Sequence, residues 1–311
     1  MSDKKYRLVT RSDFDGLICA VLLKEKGLIG DIRFVHPKDM QDGKIEIAED
    51  DITTNLPYVA GAHLVFDHHV SEVLRNGQDR PANYILDPNA PSAARVVYEY
   101  FGGEKAFPSI SQEMIIAVDK ADSAQFNREE ILFPKDWVLL NYLMDARTGL
   151  GRFKEFRVSN QDLMMKLIDY CKDHSIDEIL AIPDVKERVD LYFEHQRASL
   201  HQIEKNSYLR KNVVILDLRN EDEIYATNRF IVYALYPECN VSIHVLWGLK
   251  KQNTVFAVGG SILNRSTNTN IGELMLKYGG GGHAKAGTCQ VENERADEVL
   301  KELIARINAD G

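Results

Sequence analysis

The chain has 311 residues, a length that favours two domains over one. Hydrophobic residues make up 44% and charged residues 27%, with 20 Gly and 9 Pro, which excludes a disordered, collagenous or fibrous chain and marks an α/β globular protein. Lysine and arginine number 38 against 47 aspartate and glutamate, a net charge of −9 that argues against indiscriminate gripping of long nucleic acid but permits a phosphorylated ligand in a local positive pocket.

The first 130 residues alternate short β-type runs with helical patterns, as parallel βαβ units do. A strand over 6–9 leads into the acidic loop Asp13-Phe14-Asp15-Gly16, then a helix over 17–26 closed by Gly27. Strands follow at 31–35, 52–54, 63–66 and 84–86, then a helix over 92–101 and another to about Lys120 that Ser109 and Gln112 would cap. Residues 137–183 read as mainly helical. The stretch 185–206 is one long amphipathic helix, with Val185, Val189, Phe193, Leu200 and Ile203 near one face. A second α/β pattern then begins: strand 213–218, helix 228–236, strands 241–247 and 255–259, helix 271–278, strand 287–291 and helix 296–307.

The expected architecture is therefore two α/β lobes. The first, 1–184, has a mainly parallel sheet with flanking helices; 185–206 is a linking helix; 207–311 is a smaller mixed-sheet lobe. Cys19, Cys171, Cys239 and Cys289 are far apart and read as reduced packing residues. The chain opens without an apolar leader, and no segment has the length of a membrane span, so a cytoplasmic protein is expected.

Three polar clusters follow apolar runs, where the strand ends of an open α/β sheet converge on ligands. Asp13 and Asp15 can reach the same or adjacent hard cations, or can serve a helix N-terminus. Asp67-His68-His69 offers a carboxylate and two imidazoles, a donor set suited to manganese, iron or zinc. Gly279-Gly280-Gly281-Gly282-His283, running on to Gly287, lets backbone amides approach an anion closely.

Together the clusters resemble the DHH phosphoesterases with their associated C-terminal domain, over nearly the whole chain. Asp13-x-Asp15-Gly16 looks like the first motif, Asp67-His68-His69 the name-giving third, and the glycine run with His283 and Gly287 the C-terminal signature; Asn264-Arg265-Ser266 resembles the step before it in the nano-RNase and pAp-phosphatase branch. The resemblance implies a phosphoester or phosphoanhydride hydrolase using one or two Mn²⁺ ions. Its substrate would be a short oligonucleotide, pAp, a cyclic-dinucleotide product or polyphosphate, held between the lobes. A homodimer is consistent with the family.

Carried onto this sequence, the resemblance makes Asp13 a ligand of the first metal, and Asp15, His68 and Asp122 ligands of the second, with Asp119 the fallback. Asp67 would orient an imidazole and His69 would face the scissile phosphate, while Arg265 and Ser266 would hold a terminal phosphate or carboxylate-like group, and His283 with the amides of Gly280, Gly281 and Gly282 another phosphate.

Two positions depart from the pattern. Arg11 stands where the family places a histidine shortly before the first motif, and Asn55 stands where a bridging aspartate is expected. The first metal site is thereby weakened, and Arg11 becomes a candidate to supply its charge. A one-metal phosphoesterase and a catalytically impaired nucleotide binder are both open on these residues. His36 and Asp39 are further candidates for a missing ligand, set against an ordinary surface loop.

Overall fold

The computed structural model describes residues 4–69, 81–153 and 156–311. They form two compact units, Met1–Gln125 with Lys135–Ala146 and Leu150–Asp190, and Phe126–Pro134 with Arg147–Gly149 and Leu191–Gly311. In chain order the described helices and strands are β1 (Tyr6–Arg11), α1 (Phe14–Glu25), β2 (Ile29–Val35), α2 (Pro37–Gln41), β3 (Asp51–Thr54), β4 (Leu64–Asp67), β5 (Tyr84–Leu86), α3 (Ala93–Tyr100) and α4 (Gln112–Asp122). Next come α5 (Arg128–Leu132), α6 (Asp136–Met144), α7 (Asn160–Asp173), α8 (Ile176–Ala181) and α9 (Pro183–Asn206). The chain continues through β6 (Ser207–Arg210), β7 (Val213–Asp217), α10 (Ile231–Leu235), β8 (Val241–Trp247), β9 (Thr254–Gly260), α11 (Ile271–Leu276), β10 (Gly281–His283), β11 (Ala286–Val291) and α12 (Ala296–Asp310).

In the first unit the five strands are parallel in the order β2-β1-β3-β4-β5. The chain leaves β1 through α1 to reach β2 on one side, and returns to place β3 on the other. This reversal puts a crevice beyond the carboxyl ends of β1 and β3. Apolar side chains on both faces suit a sheet covered by helices: Leu8, Val9, Ile52, Val65 and Phe66 are buried, as is every residue of α1 from Phe14 to Leu23. The buried threonines at the strand ends satisfy one another, since Thr54 Oγ1 donates to Thr10 Oγ1 at 2.7 Å and Thr10 Oγ1 to the Thr54 carbonyl at 3.2 Å.

The second unit carries a mixed sheet in the order β10-β11-β9-β8-β7-β6, parallel only between β7 and β8, whose connection includes α10. One face of it, with Val213, Ile215, Val241, Ile243, Val245, Phe256 and Val258, packs against Leu274 and Met275 of α11 and Val299, Leu303 and Ile307 of α12. Each such side chain contributes about 1.5–3 kcal/mol on leaving water.

Several local expectations are corrected. Ser111, not Ser109, caps α4, accepting from the Met114 amide, because it alone directly precedes the helix; Ser109 Oγ instead donates to Glu25. The helix expected over 228–236 shrinks to α10, because Asn228 spends its side chain on the Phe230 amide, the Ile131 carbonyl and Tyr192 Oη. On α9, Val185, Arg188, Tyr192, Ser199 and Ile203 are the buried stripe, and Phe193, one position off that stripe, is 41% exposed. Within the glycine run, where no strand was expected, Gly281–His283 forms β10, antiparallel to β11. All four cysteines are free and buried. Among the described residues no helix is long and apolar enough to cross a membrane.

Candidate metal centre

The crevice is furnished from strand ends. Beyond β1, Asp13 is extended and caps α1, its Oδ1 accepting from the Gly16 amide at 2.9 Å. Gly16 is required there, because a Cβ on it would stand 2.0 Å from the Arg11 carbonyl oxygen and 2.8 Å from Thr10 Oγ1. This close approach swings Asp15 inward, where it is buried and accepts through both oxygens, from the Ala93 amide at 3.0 Å and the Ala94 amide at 2.8 Å. Those amides open α3, whose N-terminus favours a carboxylate. Ser92 caps the same helix by accepting from the Arg95 amide, and Asp119 locks it, accepting from Ser92 Oγ at 2.7 Å and from Arg95 Nε and Nη2 at 2.9 and 2.5 Å.

Beyond β4 the chain supplies Asp67, His68 and His69. His68 Nδ1 lies 3.2 Å from the Ala90 carbonyl, which can only accept, so Nδ1 carries a proton and Nε2 is the nitrogen that can give up its proton to a ligated ion. Nε2 is 3.0 Å from Asp122 Oδ2. Asp67 is fully buried, with Oδ1 2.7 Å from His69 Nδ1 and Oδ2 without a partner. Asp122 is the last residue of α4, at the end of a helix where the dipole disfavours negative charge.

Asp15, His68 and Asp122 place one ligand atom each within 4.8 Å of one another, the one such group among the described residues. Their ion-free electrostatics are tense. Burial, then the neighbouring Asp122 carboxylate, pushes Asp15 up to about 7 against the pull of His68. Burial works to lower His68, but Asp122 and Asp15 override it and raise the imidazole to about 9. For Asp122 burial works upward, and His68, followed by His69 and Arg11, holds it below the ordinary carboxylate range. Burial opposes charge on His69 too, and Asp67 overcomes it to favour the imidazolium. The buried Asp15 and the more exposed Asp122 face His68 Nε2 beside the unpartnered Asp67 Oδ2, a donor set that fits a divalent cation.

The other candidates stand differently. Asp119 is outside this group, its oxygens taken by Ser92 and Arg95. Asp13 is outside it as well, with Oδ2 2.9 Å from Arg11 Nε and Oδ1 accepting from Asn55 Nδ2 at 3.1 Å. Asn55 directly follows β3 with a left-handed φ of 55°, which asparagine tolerates, and its buried Oδ1 has no partner. His36 caps α2, its Nδ1 accepting from the Lys38 amide, and Asp39 pairs with Lys44, so neither contributes.

In the second unit, residues 261–271 and the β10–β11 hairpin are joined. The Gly260 amide donates to the Lys285 carbonyl, Lys285 Nζ to the Thr267 carbonyl at 2.8 Å, and the Ile271 amide to the Ala284 carbonyl. Arg265, Ser266 and His283 are exposed on these segments. Arg265 Nε donates to the Ile262 carbonyl at 3.0 Å. Gly280 and Gly282 are obligatory, since a Cβ would meet the Thr288 carbonyl oxygen at 2.1 Å and the Ala286 carbonyl oxygen at 2.2 Å respectively. Sequence reading missed Asn240, a buried side chain whose Nδ2 donates to Ser266 Oγ at 3.1 Å while its Oδ1 accepts from Asn212 Nδ2 at 2.8 Å. The only sequence signal was a polar residue directly before an apolar strand. The Ala90 carbonyl and the Ala93 and Ala94 amides were also missed, because main-chain groups leave no mark in a sequence.

No family model matches the chain, and no curated protein matches it. Among solved structures it is similar to the pGpG-specific phosphodiesterase PggH from Vibrio cholerae, at 64% identity and a TM-score of 0.88 over 99% of this chain and 100% of that one. RecJ from Thermus thermophilus in complex with Mn²⁺ shares 14% identity and a TM-score of 0.57, over 98% of this chain and 52% of that one. CDC45 from Entamoeba histolytica shares 9% identity and a TM-score of 0.51, over 98% and 96%. The latter two likenesses are of fold.

Proposed function

The chain belongs to the DHH phosphoesterases, a family of hydrolytic enzymes, and on that footing we propose that it cleaves the phosphodiester of a linear dinucleotide, pGpG, with the aid of a divalent cation. The observation that carries the substrate is the 64% identity to a pGpG-specific phosphodiesterase across the full length of both chains. The acidic net charge agrees with a small phosphorylated substrate neutralised locally.

Asp15, His68 through Nε2, and Asp122 would hold the cation, and the mixed carboxylate and imidazole set favours Mn²⁺. When bound, the ion supplies Lewis-acid polarisation of the phosphate and activation of water. The remaining work falls to the protein. The Ala90 carbonyl fixes the His68 tautomer, and the α3 amides hold Asp15 with both oxygens in place. Asp67 orients His69 through Nδ1 and favours its protonated form, which makes His69 a donor to the scissile phosphate. Arg265, Ser266, His283 and the amides of Gly281 and Gly282 would hold the rest of the substrate's phosphate; the Gly280 amide, expected to join them, donates instead to the Met275 carbonyl at 3.0 Å. Asn240, donating to Ser266 Oγ, leaves that hydroxyl proton for the substrate. In this reading residues 1–184 carry the metal, 185–206 link, and 207–311 hold substrate. The free, buried cysteines suit a reducing cytoplasm.

The test is turnover of pGpG beside other dinucleotides, longer oligonucleotides, pAp and polyphosphate, in Mn²⁺ and after chelation. Mn²⁺-dependent release of GMP from pGpG, lost in Asp122→Ala, is the expected result. Equal turnover of the whole panel would remove the assigned substrate, and turnover unaffected by chelation would remove the metal.

A further inference from the structure

Asp13 lies in the same crevice as the three clustered ligands, yet the protein already spends it. One oxygen takes the Gly16 amide and the Asn55 amide, and the other faces Arg11 Nε. The amide orientation of Asn55 is fixed by chemistry, because a carboxylate only accepts, so its NH₂ must face Asp13. An aspartate at 55 would instead set two carboxylates about 3 Å apart, an arrangement that demands a proton or a cation between them.

The charges decide how many cations the crevice can take. Asp15 and Asp122 with a neutral His68 bring two negative charges, which match one dication. A second dication beside Asp13 would find Asp13 cancelled by Arg11, a neutral Asn55, and Asp67 facing His69. Arg11 thus cancels the Asp13 carboxylate on that side, and a dication is poorly held where its nearest carboxylate is already paired. The unpartnered oxygens of Asn55 and Asp67 are sites for water rather than a charge-matched cage.

Arg11 is placed to do more than cancel Asp13. Its side chain is 36% exposed, and apart from Asp13 its guanidinium makes no ion pair or hydrogen bond with the described residues. Its charge also reaches Asp122, where it helps hold that carboxylate ionised. A guanidinium braced through Nε presents its Nη donors as a fork that matches phosphate oxygens.

Building on the metal reading above, we propose that the chain holds a single divalent cation, between Asp15, His68 and Asp122, and that the Arg11 guanidinium braced by Asp13 stands in place of a second cation as a donor to the substrate phosphate.

The experiment counts ions on the full chain. Protein loaded with Mn²⁺ and desalted is expected to hold one ion by plasma mass spectrometry, with an uncoupled electron paramagnetic resonance spectrum. The double substitution Arg11→His with Asn55→Asp is expected to raise the count to two and to introduce exchange coupling. Arg11→Ala should keep one ion while kcat/KM falls about 100-fold, with Arg11→Lys recovering part of it. Two coupled ions in the wild-type protein would overturn the inference while leaving the metal reading intact, and no bound ion would overturn the metal reading itself. Should the double variant fail to fold by circular dichroism, the wild-type count still decides. Unchanged turnover in Arg11→Ala would remove the assigned role of Arg11.

Discussion

Removing the Asp15 carboxylate should reverse its effect on stability as pH rises. In metal-free protein the native carboxyl is pushed from 3.8 to about 7, so folding favours its protonated form. The corresponding stability is present below pH 3.8 and is lost as pH rises through 7. At roughly 1.4 kcal/mol per pH unit the loss is about 4 kcal/mol. His68, raised from 6.5 to about 9, adds a second loss of about 3 kcal/mol as pH climbs from 6.5 through 9, and the two overlap because each group faces the other. Asp15→Asn removes the first loss but has a fixed cost. Its NH₂ cannot accept from the α3 amide that a carboxyl oxygen satisfied, which costs about 2 kcal/mol at any pH.

The variant should therefore be less stable than wild type by about 2 kcal/mol near pH 3.5, close to it near pH 5, and more stable by about 2 kcal/mol near pH 8.5, after chelation. The chain has two tryptophans, and Trp137 is buried in the first unit with its ring 6.3 Å from Phe14, next to Asp15. Urea unfolding followed by fluorescence in a Trp247→Phe background reads that unit. Saturating Mn²⁺ should abolish the alkaline loss in the wild-type background and leave the variant unmoved. A variant that trails wild type by the same margin at all three pH values would refute the electrostatic account.

Gly16→Ala should cost 3 kcal/mol or about that, since its Cβ meets rigid main chain at 2.0 Å, and Mn²⁺ affinity by titration calorimetry should fall with it. Asp119→Ala leaves Ser92 and Arg95 without their shared partner, and a loss of about 2 kcal/mol in chemical denaturation should accompany a roughly tenfold weaker metal affinity. Asn240→Ala should raise KM for dinucleotide about tenfold with little change in kcat, while metal content measured by plasma emission stays constant.

The parallel sheet and the first-motif helix were legible because strand ends, the Asp13 cap and the Gly27 stop are local signals. The choice between Asp119 and Asp122 was not, because both sit on α4 about one turn apart, and only the partners on α3 and β4 separate them. Arg11 and Asn55 stood out as departures from a pattern. That both converge on Asp13 follows from the pairing of β1 with β3, a non-local register that spacing does not encode. The β10 strand hid in its own glycines, whose low β propensity concealed a strand in which Gly282 leaves no room for a side chain.

That strand has an evolutionary consequence. At Gly280 and Gly282 any side chain collides with the neighbouring strand, so this strip of β10 shows its surroundings peptide backbone. Main-chain amides cannot be exchanged one for another by a codon change, so if the strip holds substrate phosphate as proposed, its part in recognition is frozen for as long as the hairpin persists. On the same proposal, drift in what the protein selects would fall to the adjacent side chains Arg265, Ser266 and His283, which are exposed.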